Sequence, residues 1–200
     1  MKKSFAYPII FMALLTGLFT FILAFLNETT AERVALLQET DLRLKVLYSF
    51  GIEVTTEDAT EIEKLFNEKI EEEVVDDTTI FVAKENGEKL GYAFPVSGPG
   101  LWGTINAYAA ITPDYNELLG IAFIKHDETP GLGGRIEEEI YLEQFQGLDL
   151  TTSTGGVYVV NNPAPNGNID AIAGATLTSN AVAKILNEDI DSFIQARRGD

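Results

Sequence analysis

Residues 78–96 read TTIFVAKENGEKLGYAFPV, two β-rich runs on either side of Glu85-Asn86-Gly87-Glu88. Asn-Gly between such runs predicts a two-residue hairpin turn, because both central positions of that turn need a positive φ. Past the Gly98-Pro99-Gly100 break, LWGTINAYAAI (101–111) and LLGIAFIKH (118–126) make a second pair around Pro113-Asp114-Tyr115-Asn116. Four strands joined by short turns predict an antiparallel sheet.

Helical patterns flank it on both sides. Residues 30–50 are rich in helix formers and place Val34, Leu37, Leu44 and Leu47 at spacings of one face, with Gly51 as the stop. Thr55 and Thr56 lead into an acidic first turn and the stripe Ile62, Leu65, Phe66 and Ile70, which predicts an amphipathic helix whose solvated end is the acidic run 71–77. Behind the sheet come a glycine-rich loop, a helical stretch at 136–146, the turn TTSTGG (151–156), a short strand VYVV (157–160) and a Pro/Asn/Gly loop at 161–168. Residues 180–198 close the chain as an amphipathic helix with Val182, Ile185, Leu186, Ile190, Phe193 and Ile194 on one face. The expected class is α+β.

The N-terminus is of a different nature. Residues 8–26, PIIFMALLTGLFTFILAFL, carry no charge and only Thr16 and Thr20 as polar side chains. Nineteen residues at about 1.5 Å each span roughly 30 Å of hydrocarbon. A cleaved secretory signal would have a shorter apolar core and a small-x-small site, which Leu26-Asn27-Glu28 does not supply. The expected anchor is therefore a single uncleaved helix in the lipid bilayer, with Pro8 in its first turn. Lys2 and Lys3 before the span, and acids after it, place the N-terminus in the cytoplasm and the rest in an extracytoplasmic or periplasmic space. The expected organisation is residues 1–28 as cytoplasmic N-terminus and anchor, 29–75 as helical stalk, and 76–200 as the functional domain.

Composition narrows the chemistry. The 200-residue chain has no cysteine, which excludes disulfides, thiolate-held metals and thiol nucleophiles. Its net charge is −17, and residues beyond 27 hold all 31 acids against 12 of the 14 basic residues. Such a surface repels phosphate backbones, so nucleic acid is not an expected partner. His126 is the sole histidine and has no clustered partner, so no metal site is expected. No G-x-S-x-G elbow accompanies it for hydrolysis.

Three stretches have a composition that packing does not explain. SGPGLWGT (97–104) holds the only tryptophan, and by its residues alone reads first as a wide turn with an aromatic plug. HDETPGLGGR (126–135) is a loop whose glycines let backbone approach a ligand, or only a long turn. DAIAGATLTSN (170–180) surrounds Thr176 with small residues shortly before the closing helix, so its hydroxyl is accessible and the helix N-terminus favours a phosphate there. A simple cap by Thr178 or Ser179 is the other reading.

At these residues the chain resembles the family of FMN-binding subunits found in sodium-pumping NADH:quinone reductase and in the related Rnf electron transport complex. That family carries a D-x-x-S/T-G-A-T motif, on whose last threonine a flavin transferase places FMN as a phosphodiester; residues 170–176 match it except for Ala173, where Ser or Thr is usual. The family's E-T-P-G-L-G loop is intact at 128–133, and its G-x-G-L-W segment at 98–102 leans toward the quinone reductase branch. The resemblance implies covalent FMN on Thr176, and Asp170 as part of what the transferase recognises. Gly174 and Ala175 complete the motif. Glu128, Thr129, Gly131 and Leu132 would line the flavin, with Leu177 and Thr178 on the other side and Leu101 and Trp102 nearby. It implies an electron-transfer subunit of an ion-translocating oxidoreductase, of the NADH:quinone or ferredoxin:NAD type, with the other membrane redox subunits as partners and no independent turnover. A tethered binding or adaptor domain that has lost the flavin is the alternative, and a hydrolase using Thr176 as nucleophile is a weaker one that lacks a nearby base.

Overall fold

The computed structural model describes residues 6–75, 78–151 and 155–198. The chain divides into two compact units, Met1–Thr40 and Asp41–Asp200. Helix α1 (Ala6–Ser49) starts at the first described residue and ends within the second unit; in the first, its apolar stretch is solvent-facing apart from a half-buried Leu15. Among the described residues it is the one helix long and apolar enough to cross a membrane. Val34 and Leu37 are also exposed, so the face that the spacing predicts is not continuous; buried positions begin with Thr40 and, in the second unit, become Val46, Leu47 and Phe50. Lys2, Lys3 and residues 152–154 of the TTSTGG turn lie outside the described residues.

The second unit is built on a six-stranded antiparallel sheet in consecutive order: β1 (Ile70–Val75), β2 (Thr78–Glu85), β3 (Glu88–Pro99), β4 (Thr104–Ile111), β5 (Glu117–Lys125) and β6 (Leu148–Asp149). Asn86 and Gly87 take φ of 52° and 84° and make the predicted β2–β3 turn. Both faces of the sheet are covered, which is why its central strands read as nearly unbroken apolar runs. Phe81, Ala83, Ala93 and Ala110 face the end of α1 and helix α2 (Ala59–Lys69). Ile80, Val82, Phe94 and Ile105 face the other way, toward helix α4 (Thr176–Arg198), whose Val182, Ile185, Leu186, Ile190 and Ile194 are buried as the periodicity predicts, with Phe193 half-buried and stacked on Phe94 at 3.9 Å.

Several boundaries differ from those expected. The acidic run after α2 is no helix end: Glu71–Glu73 belong to edge strand β1, where charged side chains discourage further strand pairing. Asp58, not Thr55 or Thr56, caps α2, its Oδ1 accepting the N–H groups of Thr60 and Glu61, while Thr56 bonds the Glu61 carboxylate. The stretch 136–146 is broken into 3₁₀ turns (Gly133–Glu137 and Glu143–Phe145) around helix α3 (Glu139–Leu142). VYVV forms no strand; the N–H groups of Tyr158 and Val159 are taken by the Asn187 side chain instead. The closing helix begins at Thr176, one turn earlier than predicted.

Candidate functional site

The site grows from the end of β5. The chain leaves the sheet at Lys125, and Glu128 turns inward while Asp127 and Thr129 stay exposed. Glu128 is 5% exposed. Its Oε1 accepts the N–H groups of Leu101 (2.8 Å) and Trp102 (3.1 Å), and its Oε2 accepts the Thr178 hydroxyl (2.6 Å). Its own N–H donates to His126 Nδ1 at 3.2 Å, and His126 Nε2 lies 3.7 Å from a Glu137 carboxylate oxygen. Burial alone would raise the Glu128 pKa, but the Thr178 hydroxyl and the Trp102 and Leu101 N–H groups outweigh it, and the net direction is down. The group is a carboxylate at neutral pH.

This one carboxylate therefore joins the three stretches that the sequence singles out: the GLW turn, the ETPGLGG loop and the start of α4. Thr129 closes the loop, its carbonyl accepting the N–H groups of Leu132 (3.1 Å) and Gly134 (2.9 Å), with Gly131 at φ 75°. Gly174 takes φ 80°, and a Cβ there would come within 3.4 Å of Leu132 Cδ2, which sets Leu132 against the turn before Thr176.

Thr176 is exposed and is the first residue of α4. The first i to i−4 bond runs from Ser179 N–H to Ala175 O at 3.0 Å, so the N–H groups of Thr176, Leu177 and Thr178 precede the helical ladder. Neither Thr178 nor Ser179 caps them. The Thr178 hydroxyl goes to Glu128, and Ser179 Oγ accepts the Ile172 N–H (3.0 Å) while donating to Ala175 O (3.2 Å). Ala175 at the cap position has no side-chain oxygen to offer. Around this end stand apolar side chains left in solvent: Leu101, Trp102 (69% exposed), Leu132 and Leu177 (64%).

Asp170 is turned to a different neighbourhood. Its Oδ1 accepts from Asn162 Nδ2 at 2.7 Å and its N–H donates to Gln144 Oε1 at 2.6 Å, beside a cavity of about 320 Å³ that Arg135, Glu138 and Ala173 also line. A further cavity of about 640 Å³ runs along α4 past Val159, Lys184 and Asn187, and none of the predicted site residues lines it. Sequence reasoning gave no site role to Gly100 or Gly133. For the two glycines the signal was present: they stand inside the G-x-G-L-W and G-L-G-G segments.

Fold and site together define a class: an α+β cofactor-binding domain behind an apolar anchor helix, with an uncapped helix N-terminus facing exposed apolar side chains. The FMN-binding domain family matches residues 100–191. Curated relatives include an Na(+)-translocating NADH-quinone reductase subunit of Pasteurella multocida, 39% identical over 105 residues that make up 50% of this chain and 40% of that one. The same subunit of Pseudomonas aeruginosa is 30% identical over 137 residues, 62% and 52% of the two chains. This chain spans about half the length of the curated relatives it matches. Among solved structures, the corresponding subunit from Parabacteroides distasonis superposes with a TM-score of 0.66 at 26% identity, over 78% of this chain and 90% of that one. NqrC of Shewanella oneidensis shares the fold, with a TM-score of 0.62 at 19% identity over 74% and 89%. Residues 100–191 thus match the FMN-binding domain family, and the chain is similar, over about half its length, to the C subunit of sodium-translocating NADH-quinone reductases.

The residues present fit FMN. A phosphate on Thr176 would meet the free N–H groups and positive end of α4. Leu101, Trp102, Leu132 and Leu177 would offer exposed apolar side chains to a flat aromatic ring.

Proposed function

We propose that this chain is an electron-transfer subunit of a membrane ion-translocating redox complex, and that it carries FMN covalently, as a phosphodiester on Thr176. The observation that carries the reading is the exposed Thr176 hydroxyl at the uncapped first turn of α4, inside the stretch that matches the FMN-binding domain family. When bound, the flavin accepts and releases one or two electrons, while the protein supplies binding, orientation and electrostatics. Thr176 anchors the phosphate, the N–H groups of Leu177 and Thr178 neutralise part of its charge, and Leu101, Trp102, Leu132 and Leu177 take the ring. Asp170, on the other side of the motif, is left for the flavin transferase that attaches the group. The neighbouring redox subunits deliver and remove electrons, and the GLW segment favours the quinone reductase type over Rnf. Lys2 and Lys3 orient the anchor with its N-terminus in the cytoplasm, so that the flavin faces the extracytoplasmic side. A covalent link suits that compartment, where a dissociating cofactor would be lost.

The test is coexpression of the full chain with a flavin transferase, followed by intact mass. The wild-type chain gains FMN less one water, and Thr176→Ala gains nothing while keeping its far-UV circular dichroism. Flavin fluorescence on a denaturing gel of Thr176→Ala would overturn the assignment.

A further inference from the structure

Glu128 stands out among the buried groups because its carboxylate is spent on the protein itself. Three donors from two distant stretches converge on it, and each oxygen already accepts at least one of them. Two glycines make the room. A Cβ on Gly100 would lie 2.5 Å from Oε1 and one on Gly133 would lie 2.6 Å from Oε2. Gly100 belongs to the GLW turn and Gly133 to the GLGG segment, so both glycine-bearing segments are shaped around one side chain.

A neutral side chain would not serve all three donors equally well. A carboxylate only accepts, and can take two N–H groups on one oxygen and a hydroxyl on the other. Charge-assisted bonds of this kind are stronger than neutral ones, and leaving the Leu101 and Trp102 N–H groups without an acceptor is costly where they are partly buried.

We propose that Glu128 is a positioning residue that ties the Leu101–Trp102 turn to the first turn of α4, and thereby builds the apolar face around Thr176. It acts through its neighbours and does not itself bond the flavin. The tie between Leu101, Trp102 and Thr178 exists whether or not FMN is attached, so the purpose assigned to the face rests on the proposed function but the tie does not.

The chain supplies its own reporter. Trp102 is the sole tryptophan, and its backbone is one of the tied groups. Time-resolved fluorescence anisotropy of the full, unloaded chain in detergent micelles measures how far the indole wobbles on the nanosecond scale. In Glu128→Ala the wobble amplitude is expected to rise at least twofold. In Glu128→Gln it rises clearly less than in Glu128→Ala, because the amide oxygen can still accept both N–H groups, through weaker bonds, and its NH₂ can donate to Thr178 Oγ1. Thr178→Val, which removes one tie only, gives an intermediate value and carries the test if Glu128→Ala does not fold. Unchanged wobble in folded Glu128→Ala, or in Thr178→Val where Glu128→Ala is unfolded, overturns the proposal, as does a Gln variant as mobile as Ala. Flavin loading of the wild-type chain is scored separately, so failure of the FMN reading leaves this readout intact.

Discussion

Asn187, in the middle of α4, pairs with the backbone of Val159 in both directions: its Nδ2 donates to Val159 O at 2.9 Å and its Oδ1 accepts the Val159 N–H at 2.8 Å. The same Oδ1 also accepts the Tyr158 N–H at 2.8 Å. One side chain thus does for residues 158–159 what a neighbouring strand would do. Asn187→Ala should cost about 2–3 kcal/mol, roughly 1 kcal/mol for each of three bonds. Thermal unfolding of the full chain in micelles measures this, and Asn187→Asp, which keeps the acceptor but loses the donor, should fall between.

Gly133→Ala puts a methyl 2.6 Å from both Glu128 Oε2 and Thr178 Oγ1 and 3.0 Å from Glu128 Cβ. A free carboxylate end would swing away, but this one is held by three bonds. The expected loss is about 1–3 kcal/mol, the usual range for overpacking. Introduced into a Glu128→Ala chain, the same substitution should cost much less, and a double-mutant cycle on unfolding midpoints measures the difference. Equal costs in the two backgrounds would refute the account of why this glycine is there.

What could be read from the sequence was whatever has a local cause. Asn86-Gly87 fixes a turn by its φ requirements, and the β-rich runs on either side of it announce the hairpin. The acidic run from 71 concealed a strand because edge strand β1 carries three successive glutamates, on both of its faces, so neither alternation nor a long apolar run marks it. VYVV has strand composition, yet its donors are met by an asparagine on α4 about thirty residues later. The beginning of α4 was missed because residues 171–175 contain no capping side chain. At the site, Thr176 and the loops around it were legible as motifs. The bond from Thr178 to Glu128 was not, since it spans 50 positions and exists only when the fold brings them together.

Gly51 gives a case with a backbone cause alone. It takes φ 71° after α1, its N–H bonds Tyr48 O at 2.9 Å, and the Ile52 N–H bonds Leu47 O at 3.1 Å, the paired bonds of a Schellman stop. A Cβ there would meet nothing within 4 Å. Gly51→Ala should therefore lose about 1 kcal/mol from the left-handed conformation itself, and Gly51→Asn less, because asparagine tolerates that region better. Denaturant midpoints of the two variants rank them, and equal losses would point to packing instead.

One buried and one half-buried carboxylate, Glu128 and Asp189, should respond to pH with opposite signs. The Glu128 pKa is lowered in the folded protein, so the unfolded chain binds its proton more readily. Its contribution is complete above the ordinary glutamate value of about 4.3, and is lost as pH falls through the folded value. Asp189 is raised, by burial first and by Glu188 further, against the opposing Ser97 N–H, which donates to its Oδ2 at 2.8 Å. Here the folded chain binds the proton more readily, and stability is lost as pH rises from the ordinary aspartate value through the raised one. Glu128→Gln should flatten the acid side of the curve of melting temperature against pH, and should lower the melting temperature at pH 7. Asp189→Asn should raise it at pH 7, because the amide oxygen can still accept the Ser97 N–H without an ionised group to desolvate. Melting temperatures of both variants from about pH 2 to 8 check this, and a fall in both at pH 7 would show that loss of hydrogen bonds, and not charge, decides both sites.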